Sequence, residues 1–173
     1  MQQVSAQGSA MDDFLDRLDY PMYVVTAVAG QQRAGCLVGF ASQCSMVPVR
    51  FMVWLSTANR TYRVARSADV LAVHQLGRAQ YDLAEHFGGL TGDDVDKFAG
   101  IRCHEGPAGT VLLDDAPAWF VGRVEGHLEG GDHVGFLLSP LEASDAQLPL
   151  PGGELFRLSD SEGIEAGHPV QDA

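Results

Sequence analysis

The chain has 173 residues, of which 46% are apolar and 20% charged, a composition typical of one folded domain rather than of a disordered segment. Eleven basic residues against 23 acidic ones give a net charge of −12, which disfavours binding to nucleic acid or to an anionic membrane surface. The longest apolar stretch, near residues 51–55, is far shorter than the ~20 residues of a membrane span, and the first ten residues lack the pattern of a signal peptide. We therefore expect a cytoplasmic protein that has neither nucleic acid nor a membrane as its partner.

The first predicted elements are a helix and three strands. Residues 1–10 are small and polar and are expected to be a disordered lead-in. An amphipathic helix is predicted over residues 11–19, because apolar residues recur there at helical spacing. Runs rich in β-branched and aromatic residues then predict strands at residues 22–28, 34–41 and 50–55.

The second half of the chain mixes helices and strands. Asn59 is predicted to cap a short helix that ends near Ala68, and Gly88 and Gly89 are predicted to end another that begins at Gln80. A further helical turn is expected over residues 92–98. Strands are predicted at residues 70–76, 109–113, 118–128 and 134–141, the last two joined by a hairpin at 129–132.

The tail after residue 147 is rich in glycine, proline and acidic residues. We expect residues 159–173 to be a flexible acidic tail, which leaves residues 11–158 as a single domain. Six or seven short strands with two or three helices, and no strict alternation of the two, favour an antiparallel barrel over a doubly wound sheet. The predicted fold class is thus mainly β with short helices.

The spacing of the cysteines and histidines does not favour a metal site or a nucleophilic catalytic site. The three cysteines are odd in number and lack Cys-x-x-Cys spacing, so we expect reduced thiols. No two histidines have the i, i+4 spacing of a helical metal site, and no metal is expected. His74 alternates with apolar residues on a predicted strand and is expected to be a strand residue whose hydrogen bonds are satisfied.

Three segments carry residues suited to binding a flat, polar-edged, anionic ligand. Residues 35–48 read Gly-Cys-Leu-Val-Gly-Phe-Ala-Ser-Gln-Cys-Ser-Met-Val-Pro, an apolar run that opens into small and polar side chains before a proline. Residues 56–61 read Ser-Thr-Ala-Asn-Arg-Thr and join a strand to a helix, where free N–H groups and a guanidinium suit an anion. Residues 131–133 read Gly-Asp-His and begin a strand.

Together these segments resemble the flavin reductase family, whose strand reads roughly Gly-x-Thr-Ala-Ser-x-Phe-Thr-Ser-Val-Ser-x-x-Pro-Pro. The resemblance extends from about Tyr20 to Ala143 and implies an FMN-binding split barrel, usually a homodimer. It implies an NAD(P)H:flavin oxidoreductase that uses FMN, with FAD as an alternative and NADH or NADPH as substrate. Such enzymes often supply reduced flavin to a partner monooxygenase.

The resemblance also implies roles for individual residues. His133 is the candidate catalytic residue, placed on the nicotinamide side, where it would position the substrate while the flavin carries the chemistry. The candidate flavin-binding residues are those of the strand end, of the strand-to-helix connection and of the predicted second helix: Ser42, Gln43, Cys44, Ser45, Ser56, Asn59, Arg60, Thr61 and Phe87.

Each of these residues also has a purely structural interpretation. A strand can end in an ordinary turn, Asn59 can act only as a helix cap, and Phe87 fits the core face of its helix equally well. The family's early Thr-Ala-Ser is replaced here by Leu37, Val38 and Gly39. Three alternatives therefore stay open: an FMN electron carrier, a deazaflavin-dependent reductase, and a split barrel without cofactor that acts as a dimeric interaction protein.

Overall fold

The computed structural model describes residues 4–146 and 148–168. Within those residues short 3₁₀ helices lie at Pro107–Gly109 and Leu158–Ser161. The α-helices are α1 (Val4–Leu15), α2 (Arg60–Ala65) and α3 (Tyr81–Gly89). The strands are β1 (Tyr23–Ala29), β2 (Gln32–Val38), β3 (Ala41–Met46), β4 (Val49–Ser56), β5 (Val70–Gln75), β6 (Cys103–Glu105), β7 (Val111–Leu113), β8 (Ala118–Glu129) and β9 (His133–Ala143).

Seven of the strands form one antiparallel sheet in the order β2-β1-β5-β8-β9-β4-β3. Strands β6 and β7 form a separate antiparallel pair. The mainly β, antiparallel class with few short helices is therefore confirmed, whereas closure of the sheet into a split barrel stays a prediction.

The two edge strands of this sheet are consecutive in the chain. Only Gly39 and Phe40 separate β2 from β3, although the two strands stand at opposite ends of the sheet order. The sheet must therefore curve until its edges meet at this corner, where the Trp54 N–H donates to the Phe40 carbonyl at 2.9 Å. A Cβ at residue 39 would lie 2.7 Å from the ring of Tyr20, so the corner requires a glycine.

This corner corrects the prediction of one strand over residues 34–41 with Ser42–Ser45 at its end. Those four residues lie in β3, a strand of their own that pairs with β4 alone in the sheet. An apolar pattern that continues through Gly39 and Phe40 gives no local sign that the chain moves from one sheet edge to the other.

Alternate residues of the strands enter two cores on opposite faces of the sheet, as strand geometry dictates. Val24 and Val25 are both fully buried, Val24 in the core under α3 and Val25 in the core under α2. Full burial of each such side chain contributes roughly 1.5–3 kcal/mol. The sheet with α2 and α3 therefore forms a rigid frame for the residues at its corner.

Several predicted boundaries differ from the structure. Helix α1 begins at Val4 and ends at Leu15, so residues 4–10 are helical rather than a disordered lead-in, and residues 1–3 lie outside the described part. The segment 92–98 forms turns and not a helix, and β6 was not predicted. The other predicted strands and helices are found within a few residues of their expected ends.

The predicted flexible tail is packed against the domain as far as residue 168. The Ser159 N–H donates to the Asp19 carboxylate at 3.0 Å, and Arg78 Nε donates to Asp160 at 2.7 Å. Ile164 packs against the core under α3. These contacts correct the prediction for residues 159–168, whereas the rest of the predicted tail, residues 169–173, lies outside the described residues. Across the described ranges, no helix is long and apolar enough to cross a membrane.

Candidate functional site

Two of the three predicted segments meet where β4 and β9 pair. Ser56 stands directly opposite His133 in the strand register. The backbone N–H and the hydroxyl of Thr57 both donate to the Asp132 carbonyl, at 2.9 and 3.1 Å. The strand-to-helix connection and the Gly-Asp-His hairpin are thereby held together.

Asp132 holds the imidazole of His133 in place. Nδ1 of His133 lies 2.8 Å from the Asp132 carboxylate. The pKa of Asp132 is held below its usual range, mainly by this hydrogen bond. The charge of His133 and, to a smaller extent, that of His168 lower it further. A carboxylate on Nδ1 favours the tautomer with a proton there, which leaves Nε2 of His133 as the nitrogen that can meet a ligand.

His133 faces a cavity of about 280 Å³ at the corner where the sheet edges meet, which we call the corner cavity. Its walls are the end of β2, the connection to β3, the end of β4, the cap of α2, the start of β9 and the C-terminal segment. The residues that line it include Tyr20, Gly39, Phe40, Trp54, Ser56, Asn59, His133 and His168.

Aromatic rings form one side of the corner cavity. The ring of Phe40 lies 5.2 Å from that of His133, and the ring of Tyr20 lies 6.1 Å from Phe40. Burial raises the pKa of Tyr20 above its ordinary value of 10.0, at which the phenol is already protonated at neutral pH. Flat rings beside the amide of Asn59 and the hydroxyl of Ser56 suit a planar ligand with polar edges.

Asn59 caps helix α2, as the sequence predicts. Its side-chain oxygen accepts from the Thr61 N–H at 3.0 Å. Arg60 and Thr61, however, line a second cavity of about 420 Å³, which we call the arginine cavity. The residues predicted to bind the phosphate are thus divided between two cavities. Asn59 lines the corner cavity, and Arg60 lines the arginine cavity.

The guanidinium of Arg60 lies near acidic side chains: Asp93, Asp94 and Asp96 line the same cavity, and the charge of Arg60 contributes to the lowered pKa of Asp93. Arg33 and Arg63, its neighbours, form ion pairs with Asp96 and Asp93. Within the described residues the side chain of Arg60 makes no such pair, and its methylenes lie against Gly92. Thr61 is 1% exposed and its hydroxyl has no hydrogen-bond partner in the described part of the chain, so a ligand reaches it only after local movement.

The residues of β3 form an exposed edge rather than a pocket wall. Ser42, Gln43 and Cys44 are exposed and Ser45 is half-buried. The Gln43 amide donates to the Ser45 carbonyl at 3.0 Å, and Gln43 also borders a mainly apolar cavity of about 400 Å³ near Phe51 and Phe120. The structure therefore does not bring Ser42–Ser45 into the corner cavity.

Phe87 lies in the core and not on a surface that a cofactor could reach. It is fully buried on α3, with its ring packed on Gly35 and 5.7 Å from the ring of Phe98. The structural interpretation of Phe87 is the one that the structure supports, because helical periodicity cannot distinguish a core face from a ligand face.

Two residues near these cavities were missed in the sequence. Lys97 is 4% exposed, and its ammonium donates to the carbonyls of Gly35 and Phe87 at 3.1 and 2.8 Å. Burial lowers the pKa of Lys97. His168 lies on the corner cavity, although the glycine-rich and acidic segment around it predicts a tail. The Lys-Phe and Gly-His dipeptides carry no local signal for either position.

His74 is confirmed as a strand residue whose hydrogen bonds are satisfied, and the structure shows in addition that it is fully buried. Nδ1 lies 3.0 Å from the Val24 carbonyl, and Nε2 accepts from the Leu113 N–H at 3.2 Å. Burial lowers the pKa of His74 to about 4. In the described ranges, no three histidine, cysteine or acidic side chains are grouped so as to hold a metal ion.

The relatives of this chain include proteins described as putative diflavin flavoproteins of Nostoc and as a probable flavin reductase. The probable flavin reductase of Rhizobium meliloti is 30% identical over 114 residues, which is 64% of this chain and 36% of that protein. The chain spans 22% to 36% of the length of the first curated relatives that it matches.

Two solved structures share the fold over most of both chains. The NADH:FAD oxidoreductase of Streptomyces globisporus has a TM-score of 0.75 at 21% identity, covering 88% of this chain and 94% of that one. A nitrilotriacetate monooxygenase component B homologue from Mycobacterium thermoresistibile has a TM-score of 0.74 at 18% identity, covering 98% and 94%. Residues 15–148 match the family described as the flavin reductase like domain. The chain therefore belongs to the flavin reductase-like domain family.

Proposed function

We propose that the protein is an NAD(P)H:flavin oxidoreductase that binds FMN and transfers a hydride from a nicotinamide nucleotide to the flavin. The observation that carries this proposal is the pairing of Ser56 with His133 at a cavity with aromatic walls and the cap of α2. The family membership of the chain supports the reaction class.

The residues present fit a flavin in two respects. The corner cavity offers flat aromatic rings with amide, hydroxyl and imidazole groups at their edges, which is the chemistry that a ring system with polar edges needs. Arg60 offers a guanidinium that makes no close ion pair within the described residues, which suits a phosphate on a chain of net charge −12. FMN carries both groups, and FAD, the flavin named for the Streptomyces globisporus enzyme, is the alternative.

The flavin, when bound, supplies the hydride acceptor, so the protein itself needs no acid or base for that step. The residues of the chain would bind the flavin and the nucleotide and orient them relative to each other. His133, held by Asp132, would position the nicotinamide end of the nucleotide. Asn59 and Ser56 would contact polar ring edges, and Arg60 with the Thr61 region would hold the phosphate. The exposed edge of β3, residues 42–45, is proposed to contact the flavin from outside the cavity.

We further propose a homodimer, because the corner cavity is small. Its volume of about 280 Å³ lies at the lower end of ligand pockets, which hold ~300–1,000 Å³. A flavin and a nicotinamide nucleotide together need additional surface. Met46, Val47 and Val49, on and beside β3, are 77%, 94% and 50% exposed, and a second copy of the chain would cover them and complete the site.

A partner monooxygenase is proposed as the consumer of reduced flavin. Its support is the likeness in fold to a protein described as a monooxygenase component B homologue.

The test is a titration of the purified protein with FMN and then with FAD, followed by steady-state assays with NADH and NADPH. Flavin binding together with flavin-dependent oxidation of either nucleotide supports the proposal. Flavin binding without turnover would identify an electron carrier instead. Failure to bind either flavin would refute the proposal and leave the deazaflavin and cofactor-free alternatives.

A further inference from the structure

A third cavity opens from the face of the sheet that α2 covers, and we call it the aromatic cavity. Its volume is about 400 Å³, and residues of β1, β3, β4, β5, β8 and β9 line it. Val73, one of these residues, belongs to the core under α2. The rings of Tyr23, Phe51 and Phe120 also line the cavity and pack against that core. The aromatic cavity is therefore a continuation of this core that the described side chains do not fill.

The aromatic cavity is separate from the two cavities assigned to the flavin and the nucleotide. It shares no described lining residue with the corner cavity or with the arginine cavity. On β4, Val49 and Phe51 near the start of the strand line the aromatic cavity, whereas Ser56 at its end lines the corner cavity. Gln43, which is proposed to contact the flavin from outside, borders the aromatic cavity, and its amide donates to the Ser45 carbonyl.

The lining of the aromatic cavity disfavours a charged ligand. None of the described residues that line it is acidic, basic or a histidine. A phosphate or a carboxylate would lose its hydration there without gaining a cation as partner, which is costly. The polar groups of the lining side chains are all neutral, namely the amides of Gln43 and Gln75 and the hydroxyls of Tyr23 and Ser144. These groups suit a ligand that carries a neutral hydrogen-bonding group.

The rings around the aromatic cavity favour an aromatic ligand. The ring of Phe51 stands edge to face with those of Tyr23 and Phe120, at centroid distances of 5.7 and 5.3 Å. Another ring placed against these side chains and Trp119 can make the same kind of contact. The volume of about 400 Å³ exceeds the ~150 Å³ of a cavity that holds benzene, so one or two fused rings fit.

The aromatic cavity has a buried floor and an exposed rim. Val73 and Ala118 are 2% and 9% exposed, whereas Pro140 and Ala143 are exposed. A molecule must therefore enter the cavity to reach its floor, as in the ligand sites at the mouths of β-barrels. A small molecule fits this shape, whereas the surface of a second copy of the chain would cover the rim alone.

We propose that the aromatic cavity binds an uncharged aromatic molecule of one or two rings that carries a neutral hydrogen-bonding group. This ligand is distinct from the flavin and the nucleotide, so the inference goes beyond the proposed function and does not depend on it. Indole has two fused rings and one N–H donor, and it therefore serves as the probe.

Isothermal titration calorimetry with indole tests the proposal, and indoleacetate is the charged control with the same rings. We expect one indole to bind per chain, at least tenfold more tightly than indoleacetate. The chain has two tryptophans, of which Trp119 lines the aromatic cavity and Trp54 the corner cavity. Indole should therefore shift the NMR signal of the Trp119 side-chain N–H and leave that of Trp54 unchanged.

A variant that fills the aromatic cavity locates the binding. Ala143 lies on the exposed rim, so Ala143→Trp should place a large ring in the cavity without disturbing the core. We expect this change to weaken indole binding at least tenfold, with unchanged FMN affinity and a folded protein by circular dichroism. Ala99→Trp is the matched control, because Ala99 is also exposed but does not line the cavity, and it should bind indole as the wild-type protein does.

The other outcomes each overturn the inference. Failure of the wild-type protein to bind indole, or equal binding by Ala143→Trp and the wild-type protein, would show that the cavity is not the site. Displacement of bound FMN by indole would place indole in the flavin site instead. Dissociation of a homodimer by indole in sedimentation equilibrium would show that a second copy of the chain fills the cavity. The proposed function is tested separately by flavin-dependent oxidation of the nucleotide.

Discussion

The rings of His133 and Phe40 lie 5.2 Å apart at an interplanar angle of 58°, and they join two parts of the chain that are remote in sequence. Phe40 lies in the two-residue connection between the edge strands, and His133 begins β9. Both rings line the corner cavity, so changes to His133 should affect a ligand bound there without affecting the fold.

The first prediction concerns His133→Ala. Flavin affinity should stay nearly unchanged, while nucleotide-dependent flavin reduction should fall about tenfold, or ~1.4 kcal/mol, because the residue orients the substrate and forms no covalent bond. Stopped-flow reduction at saturating flavin measures this rate, with His104→Ala as control. A rate and a nucleotide dependence equal to those of the wild-type protein would show that His133 does not orient the nucleotide.

The second prediction concerns the phosphate contact of Arg60. Replacement of Arg60 by Ala should weaken FMN binding by ~1.5–3 kcal/mol, the usual contribution of a hydrogen bond to a charged group. Arg66→Ala is the matched control, since Arg66 is an exposed cation at the end of the same helix. The guanidinium of Arg66 lies over the ring of Tyr62. Fluorescence titration with FMN measures the affinity of each variant. Equal affinities of Arg60→Ala and Arg66→Ala would contradict the phosphate contact of Arg60.

The third prediction is a loss of stability on acidification caused by His74. Its pKa is lowered from 6.5 to about 4 in the folded protein, because burial disfavours the imidazolium and Nε2 already accepts from the Leu113 N–H. Between these two pH values, His74 therefore binds a proton in the unfolded chain but not in the folded protein. The contribution of neutral His74 is fully present above pH 6.5 and is lost as the pH falls towards 4.

Over that window the free energy of unfolding should fall by about 3 kcal/mol from His74 alone. Carboxylates with lowered pKa, such as Asp96 and Asp160, lose their contribution only at lower pH, below the ordinary value of 3.8. Urea unfolding at several pH values between 7.5 and 4.5 measures the effect. A free energy of unfolding that does not change across this range would show that His74 is not buried as described.

The fourth prediction concerns the proposed homodimer. Val47 is 94% exposed at the turn after β3, so Val47→Glu should have little effect on the stability of an isolated chain. In a dimer that covers this turn, the buried charge should raise the dissociation constant at least tenfold. Sedimentation equilibrium gives that constant for the variant and for the wild-type protein. A wild-type protein that is monomeric at micromolar concentration would refute the dimer.

Local signals were sufficient to predict much of the site. Asn59 caps a helix by accepting from the N–H two residues later, and the Gly-rich hairpin before His133 fixes where β9 begins. Because β4 and β9 were both predicted from residue patterns, the meeting of Ser56 with His133 required only that these strands pair. The sequence does not contain a local sign of that pairing, which was not predicted and is seen only in the structure.

The parts that the sequence did not reveal depend on contacts between distant residues. The break at Gly39 is set by the ring of Tyr20, and the packed C-terminal segment by Asp19, Arg78 and Gly88. A composition rich in glycine and acid is typical of flexible tails, so residues 159–173 were predicted to be flexible. Residues 159–168 are instead held by contacts with these distant residues. Lys97 was missed because its buried acceptors lie on β2 and α3.

The central claim, that a nicotinamide nucleotide delivers a hydride to flavin held by this chain, is tested most directly by anaerobic mixing of the FMN-loaded protein with NADH or with NADPH. We predict that the visible flavin absorption bleaches in a single phase whose rate saturates with nucleotide concentration. Bound FMN that keeps its full absorption with both nucleotides would contradict the claim.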